Sequence, residues 1–559
     1  MHRRLVLLCG SLLSACATAP QVVATAATVF TVEPGGAIVT LDPTAPRVEA
    51  IVVANGAITE AGTREEVVAR HPTATVHSLG PRTVLPGIID AHVHSRELGS
   101  DALLVDVGDC PDVACMVTRL RERYPQPESG QWLVADGWDE GAWASRGYPD
   151  RAALDEAFAG NPVLVTSRHG FASLANGAAL GLAGIGMETA DPEGGTIVRD
   201  SDGRVTGVLL TLAQDLVRAV KPPLSHAERK AAIVAGLGQL AEAGVTCVHE
   251  AGMSRADTAA FVELAQEGAL PIRVYGLLDG NDRELVDEWI GSGPRIDPRD
   301  HFTVRGFKVF YDGSLGSRTA LLAEPYADVP DAARPTERIR PDAVAALAEV
   351  AAQSGFQLAV HTIGDEANTR MLDLFEQTFA AVPGDHRWRL EHFQVVAPGG
   401  FRRVADLGVI ASMQPSHAVG DSAWAEDRVG PDRIRRAYAW RSVLEAGAPL
   451  VLDSDVPGEP WMPMQTLYFA VTRQPLDGSV PPWQPEQALT IDEAIEAMTV
   501  TAAYAGFHEG RLGQLRPGAW ADFIVLDADP WRTEAARLAE ITVEQTWIAG
   551  APLPAGVAG

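Results

Sequence analysis

The sequence predicts an α/β protein: a (β/α)8 TIM-type barrel with a small β-sandwich domain built from both chain ends and an insert after barrel strand 1. Three observations predict it. Between residues 84 and 505, eight apolar, β-rich runs alternate with helical stretches. Both chain ends share a different texture, short β-like runs cut by Gly, Pro and Asn turns. The stretch from about 95 to 224 is too long for a loop and carries strand-like runs of its own at 132–136 and 163–166.

The elements follow in chain order. His2, Arg3 and Arg4 form a short basic region, and residues 5–13 are apolar but too few to span a bilayer. Leu13-Ser14-Ala15-Cys16 resembles a bacterial lipobox. Residues 1–16 are therefore read as a lipoprotein signal peptide with lipidated Cys16, the alternative being an ordinary secretory signal cut elsewhere. Ala17 after the cysteine points to the outer membrane and periplasm of a Gram-negative cell. The membrane is met through the acyl chains only.

Residues 17 to about 27 read as a tether. Runs at 28–32, 37–41 and 50–54, with the hairpin signal Asn55-Gly56, open the small β domain (17–83). Runs at 518–527 and 542–548 complete it (506–559). The barrel is assigned to 84–505, with strands at 84–92, 245–249, 272–278, 302–310, 356–361, 388–392, 409–413 and 449–453. Ser225 with Glu228, and Thr490 with Glu493, are capping-box patterns before helices at 231–243 and up to 505. Helical periodicity also marks 341–354 and 368–381.

Composition narrows the function classes. A hydrophobic fraction of 46% and a charged fraction of 21% suit a globular protein with a large core. A net charge of −28 argues against nucleic-acid binding, which needs clustered Lys and Arg. Cys110 and Cys115 are spaced for a local disulfide, which an oxidising compartment permits. Cys247 reads as a buried small hydrophobe.

The chemistry lies at the strand ends, where a barrel keeps its active site. The first run ends in His92-Val93-His94, and residues i and i+2 of a strand share a face. With 14 His in 559 residues, chance supplies such a pair in roughly one chain in three, so later strand ends must support it. They do: His249-Glu250 ends the second, Lys308 lies on the fourth, His361 and His392 end the fifth and sixth, and the eighth runs into Asp453-Ser454-Asp455. Lys308 facing the barrel interior is costly unpaired. Two outcomes are open: an ion pair with a carboxylate such as Asp312 or Asp455, or a carbamate formed with carbon dioxide.

With these residues the chain resembles the amidohydrolase superfamily and, within it, the YtcJ-like branch that includes N-substituted formamide deformylase. The resemblance spans nearly the whole mature chain. It rests on Leu85 through His94, Gly137-Trp138-Asp139-Glu140, Lys308 with Asp312 through Ala320, and His361 through Asp365. It continues in Arg389-Leu390-Glu391-His392, Gln414-Pro415-Ser416-His417, Ser454-Asp455-Val456-Pro457 and Pro517 through Asp522. It implies that His92, His94 and Asp455 hold one divalent metal, zinc above others. His361 and His392 would hold a second, with a carbon-dioxide-derived carbamate on Lys308 between them. It further implies metal-activated hydroxide attack on a carbonyl, with Asp455 as proton shuttle.

Two departures stand out. Asp453 occupies a position where the family often has Gly. Arg168-His169-Gly170-Phe171 stands before Asn176 where the branch often reads Asp-Gly-His. Substrate contacts are expected from Arg318, Trp138, Arg168, His169, His249 and His417, with Trp143 beside Trp138 as a second wall residue. The expected activity is hydrolysis of a carbon–nitrogen bond other than a peptide bond in a small-molecule substrate. The alternatives are an exported dipeptidase or N-acyl-amino-acid hydrolase, a lactonase or esterase, a deaminase, or a catalytically dead, surface-anchored binding protein. Self-association into a homo-oligomer is left open.

Overall fold

The structure is a computed structural model and describes residues 27–138, 148–167, 172–192, 195–331 and 334–553. The Cys16 region, Trp143, Arg168, His169 and Phe171 lie outside the described residues. Eight parallel strands form the central sheet in sequence order: Ile88–Val93, Val245–Met253, Arg273–Asp279, Phe302–Phe310, Gln357–Thr362, Arg389–His392, Ile410–Met413 and Leu450–Leu452. The first and last strands meet just beyond their ends. Val93 bridges Val456, Asp455 N–H donates to the His92 carbonyl (2.9 Å), and His94 N–H donates to the Val456 carbonyl (3.0 Å). The result is a TIM-type barrel.

Alternation along the strands sorts side chains between two environments. Val274, Phe307, Val309, Leu358, Val360, Leu390 and Leu450 belong to the main apolar core. The residues between them turn into the barrel, as bonds across non-adjacent strands require: Glu391 reaches His92, and Arg389 reaches His249.

All eight expected runs contribute a barrel strand, the fourth with the expected bounds, Phe302–Phe310, and the others with shifted ones. The first expected strand is really two. Thr83–Pro86 pairs antiparallel with Phe523–Leu526 in another sheet, and the barrel strand starts at Ile88. Gly87 makes the crossing where a Cβ would sit 2.1 Å from Thr246 Oγ1. The second strand runs on to Met253, taking in Glu250. The eighth stops at Leu452, and Asp455 adopts φ 53°, so Asp453 and Asp455 do not share one regular strand face.

Both expected capping boxes are complete, opening helices His226–Glu242 and Ile491–Ala497. The expected helix up to residue 505 is two helices, the second being Val500–Ala505. Pro341–Ser354 is as expected, and Asp365–Ala381 starts three residues early.

The chain ends share a six-stranded sheet. Its order is Ala551–Pro552, Val543–Ile548, Phe523–Leu526, Thr83–Pro86, Ala37–Val39, Arg47–Val48. A four-stranded sheet, ordered Ala57–Gly62, Ala50–Ala54, Thr28–Thr31, Thr75–Ser78, packs against it. Phe30, Ile51 and Ile58 of one meet Ile38, Val84, Phe523 and Trp547 of the other in one core. Asn55 and Gly56 turn the hairpin with φ of 54° and 81°, as a two-residue turn of this kind needs. Between the first two barrel strands, a third sheet of six strands spans Val105–Asp106 to Val205–Thr211. A disulfide ties Cys110 in the preceding loop to Cys115 in the first turn of the helix Val113–Arg123, and Cys247 is buried in the second barrel strand. No described helix is long and apolar enough to cross a membrane.

Candidate metal centre

Strand ends bring the donors together. His92 is the penultimate residue of the first strand, and His94 caps the helix Ser95–Ala102 that follows. Asp455 follows the eighth strand, and its left-handed backbone turns the carboxylate back toward both histidines. Asp455 Oδ1 lies 3.5 Å from His92 Nε2 and 3.3 Å from His94 Nε2. Oδ2 lies 3.8 Å from His417 Nε2 and 4.0 Å from His392 Nδ1. Among the described residues, two donor clusters are compact enough for a metal ion, His92–His94–Asp455 and His392–His417–Asp455, and they share Asp455.

His361 closes the far side. Its ring centroid is 4.4 Å from that of His392, and its Nε2 is 3.3 Å from the Gly313 carbonyl. Its Nδ1 is buried without a hydrogen-bond partner. An orphaned imidazole nitrogen among histidines fits a metal-binding role and is otherwise costly.

Lys308 is fully buried, with Nζ 3.0 Å from His92 Nε2. Among the described residues it makes no ion pair. The expected pairing with Asp312 does not form. The Asp312 carboxylate instead accepts backbone N–H groups of Leu321, Ile363 and Gly364 at 2.9–3.0 Å, anchoring the loop after the fourth strand.

Electrostatics match the geometry. Burial, with Lys308 beside it, pushes His92 down to about 4, and burial lowers His361 to about 3. Both are thus neutral at pH 7, as metal ligation requires. Burial opposes ionisation of Asp455, yet His92, His94, His392 and His417 hold its carboxyl well below the usual range. Burial also lowers Lys308 from its ordinary value. The neutral imidazoles of His92 and His361, with His94, His392 and His417, the Asp455 carboxylate and a buried lysine, make a donor set that fits a divalent ion.

Beneath these donors lie residues to which the sequence reading gave no role. His92 Nδ1 donates to Glu391 Oε2 at 2.6 Å, and His392 Nδ1 donates to Gln414 Oε1 at 2.8 Å. Asp453 accepts from Ser412 Oγ and Gln414 Nε2, both at 2.6 Å. It supports other residues rather than facing the metal cluster, so Asp455 is the site carboxylate of the pair. Asp90 accepts from the N–H and Oγ of Ser454 (3.0 and 2.6 Å), holding the turn that carries Asp455. Charged residues in a fully buried strand, at Arg389 and Glu391 around Leu390, were the available signal.

The other expected contacts divide. His417, on the helix Pro415–Asp421, lies over His392 with ring centroids 5.9 Å apart and joins the site. His249 does not. It is fully buried, with Nδ1 accepting from Arg389 Nη1 at 2.9 Å below the donor layer. Glu250 accepts the Ser95 N–H, and burial pushes it up to about 8. Trp138 is core, not a wall of the mouth: it is fully buried and its indole donates to the Val165 carbonyl at 3.1 Å. Arg318 is taken up on the surface by Asp328, with Nη2 at 2.8 Å. Asn176 is buried, capping helix Gly177–Leu182.

The profile of the amidohydrolase family matches residues 76–554. The chain belongs to the amidohydrolase family. This amidohydrolase is 31% identical over 531 residues to YtcJ of Bacillus subtilis (strain 168), a protein named as an amidohydrolase, covering 92% of this chain and 98% of that one. It is 30% identical over 541 residues to the N-substituted formamide deformylase of Arthrobacter pascens, covering 90% and 94%. A metal-dependent hydrolase from Pyrococcus horikoshii superposes with a TM-score of 0.74 at 26% identity, covering 91% of this amidohydrolase and 99% of that chain. The protein is a metal-dependent hydrolase.

Proposed function

We propose that this amidohydrolase cleaves a carbon–nitrogen bond of the amide type, in a non-peptide or N-acyl small molecule. The observation that carries the reading is Asp455, the one carboxylate common to both donor clusters. His92, His94 and Asp455 would hold one ion. The resemblance would place a second ion on His361 and His392 with Lys308 between them, whereas the compact second cluster is His392, His417 and Asp455. Zinc suits imidazole and carboxylate donors. When bound, such an ion lowers the pKa of water to ~7 and polarises a carbonyl. Asp455 takes the proton of the attacking water at Oδ2, the oxygen farther from its histidine partners, and returns it to the departing nitrogen. An amine leaving group needs that proton, which is why a carboxylate held ionised in the resting site suits amide cleavage. The likeness to a formamide deformylase supports the same bond class.

Lys308 is proposed to carry a carbamate. A buried amine beside an imidazole nitrogen, with a lowered proton affinity, is disposed to be neutral, the form that adds carbon dioxide. His417, over His392, is proposed to contact the substrate, as are Arg168 and His169. The division into a small β domain (17–83 with 506–559), a barrel (84–505) and an insert (about 95–224) is likewise proposed. So are export and anchoring through lipidated Cys16, where Cys16→Ser is expected to release the protein from membranes in a fractionation assay.

A panel of N-substituted formamides, N-acyl amino acids, dipeptides and lactones tests the substrate class on metal-loaded protein. Turnover of formamides or N-acyl compounds is expected; turnover of lactones alone would overturn the reading. Lys308→Ala is expected to lower the bound metal count by elemental analysis, and an unchanged count would remove the carbamate.

A further inference from the structure

We propose that Glu391, Arg389, Ser412, Asp453 and Gln414 form one buried positioning chain that sets the tautomers of His92 and His392 and couples the two halves of the metal centre. The inference rests on the reading above that both histidines hold metal.

The chain can be followed atom by atom. His92 Nδ1 meets Glu391 Oε2 at 2.6 Å. Glu391 is paired with Arg389, whose Nε lies 2.7 Å from Oε1 and whose Nη2 lies 3.2 Å from Oε2. The same Nη2 donates to Ser412 Oγ at 2.9 Å. Ser412 Oγ passes its own hydrogen to Asp453 Oδ2, and Asp453 Oδ1 receives Gln414 Nε2–H, each at 2.6 Å. Gln414 Oε1 ends the chain on His392 Nδ1 at 2.8 Å. Each of these seven residues is 5% exposed or less.

Donor–acceptor bookkeeping makes the chain directional. Arginine only donates, so Ser412 accepts from it and sends its hydrogen to Asp453. Gln414 presents its NH2 to Asp453 Oδ1 and its carbonyl to His392 Nδ1. His392 must then carry hydrogen on Nδ1. Glu391, also acceptor-only, imposes the same tautomer on His92. Both imidazoles are left with a bare Nε2, the form a cation can use. Arg389 pins the middle with a further bond to the Ala91 carbonyl at 2.7 Å, one residue before His92. A disturbance at Asp453 therefore reaches His92 as well as His392. Asp453, the departure from the family pattern, is assigned this role.

Metal affinity by chelator competition, with bound metal counted by elemental analysis, tests the chain. The proteins are the wild type, Asp453→Ala, Gln414→Leu, Gln414→Glu, Glu391→Gln and the double variant Glu391→Gln/Asp453→Ala. Asp453→Ala, Gln414→Leu and Glu391→Gln are each expected to weaken zinc binding about 10–100-fold. Gln414→Glu keeps an acceptor for His392 but replaces the donor to Asp453 with a second carboxylate, so it is expected to weaken zinc binding as Asp453→Ala does. The double variant is expected to lose less than the product of the single losses, since both cut one network. Thermal melts of the metal-free proteins separate positioning from plain stability, which would lower the melting point without lowering affinity. Wild-type affinity in Asp453→Ala and Gln414→Leu, or strictly multiplicative losses in the double variant, would overturn the coupling. A wild-type protein that binds no divalent ion would instead sink the underlying metal reading.

Discussion

At the scale of single residues, Asp455 does two jobs with two oxygens. Oδ1 faces His92 and His94, while Oδ2 faces His392 and His417 at longer range. Removing the carboxylate leaves neighbouring imidazoles without their shared anion and removes the proposed proton carrier. Asp455→Ala is expected to lower kcat by about 10²–10⁴, with a parallel loss of bound metal. A hydrolysis assay beside elemental analysis reads both, and a variant that keeps full turnover would exclude Asp455 from the chemistry. Asp455 is distinguished from Asp453 by backbone, not by residue type. The positive φ at 455 swings one carboxylate over the donors, while Asp453, just past the strand end, is held by Ser412 and Gln414.

Secondary-structure elements show where one-dimensional patterns run out. Residues 84–92 read as one apolar strand, yet Gly87 divides it between two sheets. Thr246 fills the space a side chain would need, with three of its atoms within 2.6 Å of an added Cβ. Gly87→Val is expected to destabilise the protein by about 1–3 kcal/mol in urea unfolding; a neutral result would mean the two strands can separate. The helix Ile491–Ala497 carries a second test. Glu493, the third residue of its capping box, is gripped by both terminal nitrogens of Arg441, and that contact holds its carboxyl at about 2 rather than 4.5. A folded value below the unfolded one means that the stabilisation is present above pH 4.5 and is lost as pH falls toward 2. Gln also serves a capping box, so Glu493→Gln isolates the charge. Its melting point is expected to lie below wild type at pH 7, with the gap closing as pH falls below 4.5; a gap that stays constant would contradict the pairing.

For the molecule as a whole, Arg273 and Asp522 join the barrel to the C-terminal residues. Arg273 Nη2 meets Asp522 Oδ1 at 3.0 Å, Nε meets Oδ2, and both side chains are under 5% exposed. Asp522 also accepts the Ala549 N–H (2.8 Å), and its carbonyl accepts the Gly87 N–H (3.0 Å). One residue thus ties the third barrel strand, the strand crossover and the terminal sheet. Asp522→Ala strands a buried guanidinium and is expected to cost about 3–5 kcal/mol. Calorimetry checks this, and two separated transitions in the variant would show that the terminal sheets and barrel then melt independently.

Much of this was legible beforehand, for reasons particular residues make plain. Eight strand-forming runs and two capping boxes are local patterns, and local patterns survive translation into a fold. The candidate donors were legible because strand ends converge in any closed parallel barrel, so His92, His361, His392 and Asp455 could be grouped from strand positions alone. What failed needed one. His249 ends its expected strand like a ligand, but that strand continues to Met253, leaving the ring deep against Arg389. Trp138 and Arg318 looked like substrate contacts by position, but the contacts they make, with the Val165 carbonyl and Asp328, are set by residues outside their own motifs.

The amino-acid sequence by itself determined the fold class, the family resemblance and most of the candidate donors, because each depends on residue type and spacing along the chain, whereas His417 enters the second donor cluster only through the fold. Only the tertiary structure decided which nitrogen of His92 and His392 is free, which of Asp453 and Asp455 reaches the site, and that Lys308 makes no ion pair among the described residues, with Glu391 and Asp455 acting on it from farther off. Those are properties of side chains far apart in the chain, such as His92 and Glu391, 299 positions apart, or Asp90 and Ser454, 364 apart. No periodicity encodes a meeting of that kind; closure of the barrel creates it.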